Sequence, residues 1–108
     1  MKNNSSQQLN NLYNAILSLE NIDEAKRFFR DLLTEKELQE FSKRLQAAKM
    51  LSENSTYTQI EEITGLSSTT IARISKWLNG RQGGYKLMFD KLNQHSHHNQ
   101  SPGGKGLC

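Results

Sequence analysis

From Leu9 to Leu92 the apolar residues recur three and four positions apart, and no stretch alternates apolar and polar residues in the manner of a strand. The single proline, Pro102, lies beyond this region. A chain so patterned folds as helices in series. Leu9, Leu12, Tyr13, Ile16, Leu17 and Leu19 mark the first. Asn21 and Glu24 form a capping-box pair ahead of Ile22, Ala25, Phe28, Phe29, Leu32 and Leu33, the stripe of a second. Thr34 and Glu37 make a T-x-x-E box for a third helix, which carries Leu38, Phe41, Leu45, Ala48 and Leu51 on one face and ends near Ser52.

After a polar linker over residues 52–56, Thr58 and Glu61 form a further T-x-x-E box, opening a short fourth helix that Gly65 stops. Ser67 or Ser68 caps a fifth helix bearing Ile71, Ile74, Trp77 and Leu78, closed by Asn79-Gly80 and Gly83-Gly84. A sixth holds Tyr85, Met88, Phe89 and Leu92. The expected fold is all-α with six helices: a flexible N-terminus over residues 1–8, a helical domain over 9–93, and a tail over 94–108 that lacks periodicity and reads as disordered.

Composition decides what such a bundle lacks. Only 34% of the 108 residues are hydrophobic, a lean supply for a self-contained core, so a second copy of the chain is expected to complete it. Cys108, the sole cysteine, forms no internal disulfide. No apolar run approaches the roughly 18 residues of a membrane span, and the N-terminus lacks an apolar leader segment. A soluble cytoplasmic protein is expected.

Charge is distributed unevenly. Residues 1–65 carry −2, residues 66–86 carry +4 with no acid, and residues 87–108 carry +1. The acid-free segment overlaps residues 57–78, two short helices about a three-residue turn, the layout of a helix-turn-helix. Ile60, Ile63, Leu66, Ile71 and Ile74 are expected to pack together while Gly65 turns the corner. Ser68, Thr69, Ala72, Arg73 and Lys76 then face outward. Ser68, Thr69 and either Ala72 or Arg73 suit base edges in a major groove, with Ser67, Lys76 and Arg81 on phosphates. The bland alternative makes Gly65 a helix stop and Ser68-Thr69-Thr70 a cap cluster in an ordinary bundle; the basic run through Arg81 and Lys86 favours DNA.

The residues Phe28-Phe29-Arg30-Asp31-Leu32-Leu33-Thr34, Ser42-Lys43-Arg44-Leu45, the segment from Ile60 to Leu78, and the closing Leu78-Asn79-Gly80 and Gly83-Gly84-Tyr85-Lys86-Leu87 together resemble the Trp repressor-like regulators, and among them the YerC/YecD-type branch. The resemblance spans about residues 9–93. It implies an intertwined all-α homodimer with projecting helix-turn-helix heads, acting on double-stranded DNA as a bacterial transcriptional regulator, by default a repressor. In tryptophan-responsive members two arginines sandwich the ligand's indole beside a threonine, and Arg44, Arg73 and Thr34 match those positions. Where those members keep Gly and Ser after the second arginine, this chain has Ile74 and Trp77. The added bulk implies that L-tryptophan is not its effector. Glu61 and Glu62 likewise stand where Trp repressor itself offers a basic side chain.

Other chemistries find little support. His95, His97, His98 and Cys108 contain metal-ligand types, but no second cluster accompanies them, so neither a metal nor a cofactor is expected. Helical spacing assigns Trp77 and Tyr85 to the core before base stacking. No phosphate-binding glycine loop or Ser/His/Asp set is visible, which argues against an enzyme. Two competing readings remain: a helical module binding an acidic partner through the same basic surface, and a repressor answering to tryptophan or another small ligand.

Overall fold

The computed structural model describes residues 4–100, with side chains through 94, and a two-residue antiparallel pairing of Gly103–Gly104 with Gly106–Leu107. Among the described residues there are six helices: α1 (Asn4–Leu17), α2 (Ile22–Leu32), α3 (Glu35–Ser52), α4 (Tyr57–Thr64), α5 (Ser68–Leu78) and α6 (Gly84–Gln100). Helices α1 and α6 extend beyond their apolar stripes, because the polar residues at those ends carry no periodic signal yet do not break a helix. Residues 101, 102, 105 and 108 of the predicted tail lie outside the described residues. The chain divides into two compact units, Met1–Gln39 and Glu40–Cys108.

In the first unit, side chains close the helix starts. The Glu24 amide donates to Asn21 Oδ1 at 2.9 Å, whereas the Glu24 carboxylate takes the Glu20 amide at 3.0 Å, one residue earlier than a reciprocal box would have it. The box at Thr34 and Glu37 is reciprocal: the Glu37 amide reaches Thr34 Oγ1 at 3.1 Å and the Thr34 amide reaches Glu37 Oε1 at 2.9 Å. Neither α1 nor α2 contains a buried residue, despite their apolar stripes.

The second unit has a core. Ala47, Ala48 and Met50 of α3 meet Ile60 of α4, Leu66 of the turn, and Ile71 and Ile74 of α5, with Leu51, Tyr85 and Phe89 against them. The face expected of α3 holds toward its end, where Ala48 is buried and Leu51 packs against the core, whereas Phe41 and Leu45 stay about half exposed and Ala47 and Met50, outside the expected stripe, are buried as well. The linker is also more regular than its composition suggests. Asn54 adopts a left-handed conformation (φ 67°), the Ser55 amide donates to Met50 O at 3.0 Å and the Asn54 amide to Leu51 O at 3.0 Å, so α3 ends in a complete Schellman motif. That turn delivers Thr56 in extended conformation, and Thr56 with Gln59, rather than Thr58 with Glu61, forms the capping box of α4. Both registers satisfy the T-x-x-[E/Q] pattern; the Asn54 turn selects the earlier one.

Candidate nucleic-acid interface

Helices α4 and α5 build the site from their own contacts. Ile60, Ile71 and Ile74 are fully buried and Leu66 and Leu78 nearly so, which holds α5 by one side and leaves the other to solvent. Ile63 departs from expectation: at 65% exposed it lies outside the cluster, since Ile60 and Thr64 already occupy the inner face of a helix only eight residues long. Between the helices, Gly65 sits at φ 75°, ψ 5° and donates its amide to Glu61 O at 2.9 Å. An added Cβ there would meet nothing within 4 Å, so conformation alone asks for glycine.

Ser67, not Ser68, caps α5. Its Oγ accepts the Thr70 amide at 3.2 Å and donates to Thr70 Oγ1 at 3.0 Å, which occupies the hydroxyl within the protein. Ser68, Thr69, Ala72, Arg73 and Lys76 are exposed along the outer side of α5, and Arg81 is exposed in the loop that follows. No acid lies in the first turn of α5, and Lys76 stands in its last. All residues expected from the sequence to meet DNA are thus on the surface, and five share one side of a single rigid element. Glu61 and Glu62 are exposed on the neighbouring α4.

Sequence reasoning missed Thr64. It is the one buried polar side chain among the described residues, 5% exposed, and its hydroxyl donates to Ile60 O at 2.7 Å while accepting the Leu66 amide at 3.1 Å. The available signal was a threonine immediately before the turn glycine, where a hydroxyl can bond the carbonyl four residues back.

Of the residues matched to a ligand pocket, Thr34 and Arg44 have partners within the chain and Arg73 is exposed. Arg44 Nε lies 3.5 Å from Glu40 Oε2, and its guanidinium stands 5.9 Å from the centroid of the Phe41 ring. Thr34 caps α3 in the first unit, and Arg73 is exposed on α5 in the second. Ile74 is wholly within the core. Trp77 was expected inside as well but is 53% exposed: Ile74 and Leu78 hold the inner side of α5, and the indole, one residue off that line, edges a cleft of about 450 Å³ shared with Gly80, Arg81, Gln82, Gly84 and Tyr85. Tyr85 is half-buried and stacks on Phe89 at 6.1 Å between centroids. Among the described residues no group of three or more His, Cys, Asp or Glu could hold a metal ion, and no helix is long and apolar enough to cross a membrane. The side chains of His95, His97, His98 and Cys108 lie outside the described residues.

A helix-turn-helix whose second member presents a basic, acid-free side, set in an all-α chain of six helices, defines a class of regulatory proteins. Comparison narrows the class. The Trp repressor protein family matches residues 7–93 of this chain, which belongs to that family. Over 87 residues the chain is 41% identical to the uncharacterized protein YerC of Bacillus subtilis (strain 168), covering 81% of this chain and 84% of that one. The crystal structure of a TrpR-like protein from Eubacterium eligens ATCC 27750 superposes with a TM-score of 0.76 at 44% identity, over 81% of this chain and 90% of that one. That of a putative Trp repressor from Staphylococcus aureus does so with a TM-score of 0.77 at 39% identity, over 86% and 95%.

Proposed function

We propose that this protein is a cytoplasmic, sequence-specific DNA-binding transcriptional regulator, a repressor that acts as an intertwined homodimer and does not depend on tryptophan. The observation that carries the reading is the outer side of α5, where Ser68, Thr69, Ala72, Arg73 and Lys76 stand exposed on a helix held by its own buried isoleucines. Short hydroxyl side chains near a helix start can approach base edges, and the first-turn amides of Ser68 and Thr69 have no intrahelical acceptor and suit phosphate oxygens. Arg73 offers a fork matched to guanine, with Lys76 and Arg81 as phosphate contacts. Because the Ser67 hydroxyl is taken up by capping, Ser67 would meet phosphate through its backbone.

Dimerisation is supported by the exposed apolar stripes of α1 and α2, where Leu17 is 79% and Ile22 74% exposed. Two heads on one twofold axis read half-sites about 34 Å apart, one turn of duplex, and occupancy of such a site within a promoter blocks transcription. Independence from tryptophan is supported by the bulk of Ile74, which is wholly buried, and of Trp77, at the positions where tryptophan-responsive members keep Gly and Ser.

Selection of bound duplexes from a random pool tests this reading. The wild-type chain should enrich a palindromic site, the Thr69→Ala, Arg73→Ala double variant should lose that preference, and added L-tryptophan should leave affinity unchanged. A double variant with unaltered preference would remove α5 from base recognition, and binding to an acidic protein with no enriched site would favour the competing interaction module.

A further inference from the structure

We infer that Thr64 is a positioning residue for sequence discrimination: its buried hydroxyl sets the direction in which α5 leaves the turn, and so where Ser68, Thr69 and Arg73 stand. The inference rests on the DNA-binding reading of α5 and extends it to a residue that touches no DNA. A threonine hydroxyl bonded to the carbonyl four residues back is ordinary in a helix. The second bond, in which the hydroxyl accepts the amide two residues on, runs forward over Gly65 to Leu66 and so joins the last turn of α4 to the segment that opens α5.

That bond crosses Gly65, whose amide is tied back to Glu61 O but which has no side chain to hold it from the other direction. Gly65 has no Cβ to limit its dihedrals and nothing around it that would confine one. Two restraints flank it instead: the Thr64 oxygen on the Leu66 amide, and the Leu66 side chain, 8% exposed, in the cluster with Ile60, Ile71 and Ile74. The side-chain restraint is non-directional, whereas the hydrogen bond has a preferred length and angle. Leverage gives the difference consequence. Arg73 lies six residues beyond Ser67, about 9 Å along the helix at 1.5 Å per residue, so a rotation of roughly 10° at the corner moves its root by about 1.5 Å. Base-edge hydrogen bonds tolerate only a few tenths of an ångström before weakening. Phosphate contacts through long, flexible Lys76 and Arg81 absorb such a shift, so the loss falls on discrimination rather than on overall affinity.

Two substitutions separate the hydroxyl from the volume. Thr64→Val keeps the shape and removes the oxygen, leaving the Leu66 amide without its acceptor; Thr64→Ser keeps the oxygen and removes a buried methyl. The readout is the ratio of affinities for a duplex selected by the wild type and for the same duplex with its bases scrambled. Thr64→Val should lower that ratio about tenfold, the value of roughly one base contact, while binding the scrambled duplex much as the wild type does. Thr64→Ser should hold the ratio within about twofold even though it melts at a lower temperature. An unchanged ratio in Thr64→Val, or an equal fall in Thr64→Ser, overturns the inference. If Thr64→Val does not fold, Thr64→Ala against Thr64→Ser makes the same comparison, since only the latter keeps the oxygen. A wild-type chain without sequence preference overturns the DNA reading itself, and this inference with it; that outcome is visible in the wild-type control alone.

Discussion

Helices α1 and α2 and helices α4 and α5 are made from the same materials, apolar residues three and four positions apart on short polar-faced helices, yet they come to different ends. In the pair α4 and α5, Ile60, Ile71 and Ile74 are withdrawn from water completely. In the pair α1 and α2 nothing is buried, and Leu17 and Ile22 are among the most exposed apolar residues of the chain. A corner explains the first outcome. Gly65 and the three-residue turn bring two short stripes face to face, and the alanines of α3 supply a flat third wall. The contrast teaches that an amphipathic stripe announces burial without naming the surface that provides it. The helix-turn-helix closes its stripes within the chain; the N-terminal helices leave theirs exposed, as material for a partner would.

Three measurements bear on this contrast. The largest effect belongs to the head: Ile71→Ala should cost about 2–5 kcal/mol in urea unfolding, a third or more of the stability of a small domain, through the cavity it leaves. A loss below about 1 kcal/mol would mean that the head is not held by its isoleucines. Leu17→Ala and Ile22→Ala come next and discriminate most sharply. If those side chains face water in the working protein, each should change stability by no more than about 0.5 kcal/mol. If a second copy covers them, each should cost about 1.5–3 kcal/mol, and the melting temperature should rise with protein concentration. Sedimentation of the same variants at micromolar concentration would show the corresponding shift toward monomer. The smallest effect is expected at the corner: Gly65→Ala should cost about 1–2 kcal/mol from the left-handed backbone alone, since the added methyl meets nothing. A larger loss would show that the corner tolerates no adjustment, which sets the head still further apart from the N-terminal unit.

Much of this molecule is legible in its sequence because its local signals are strong and agree. The reciprocal box of Thr34 with Glu37, the stop at Gly65 and the serine cap of α5 follow from which residues can bond a helix's orphan amides or adopt positive φ. The outward set on α5 follows from the same period that places Ile71, Ile74 and Leu78 inward. Other features were ambiguous for definite reasons. Two capping registers overlap at Thr56 and Thr58, and the choice is made by the Schellman turn at Asn54. On α3 the expected stripe is buried at Ala48 and packed at Leu51 but half exposed at Phe41 and Leu45, because periodicity marks a face without saying how much of its length a neighbour covers. Ile63 and Trp77 sit one residue off a buried line, where a periodic pattern cannot distinguish core from edge.

By itself, then, the sequence determined six helices, the caps of α2 and α3, the corner at Gly65 and the segregation of positive charge onto residues 66–86, because each depends on neighbours within a few positions along the chain. Only the tertiary structure decided which apolar faces are satisfied within the chain and which remain open, and only it disclosed the bridging hydroxyl of Thr64. Those outcomes depend on distances between residues that the turns bring together, which no local pattern encodes.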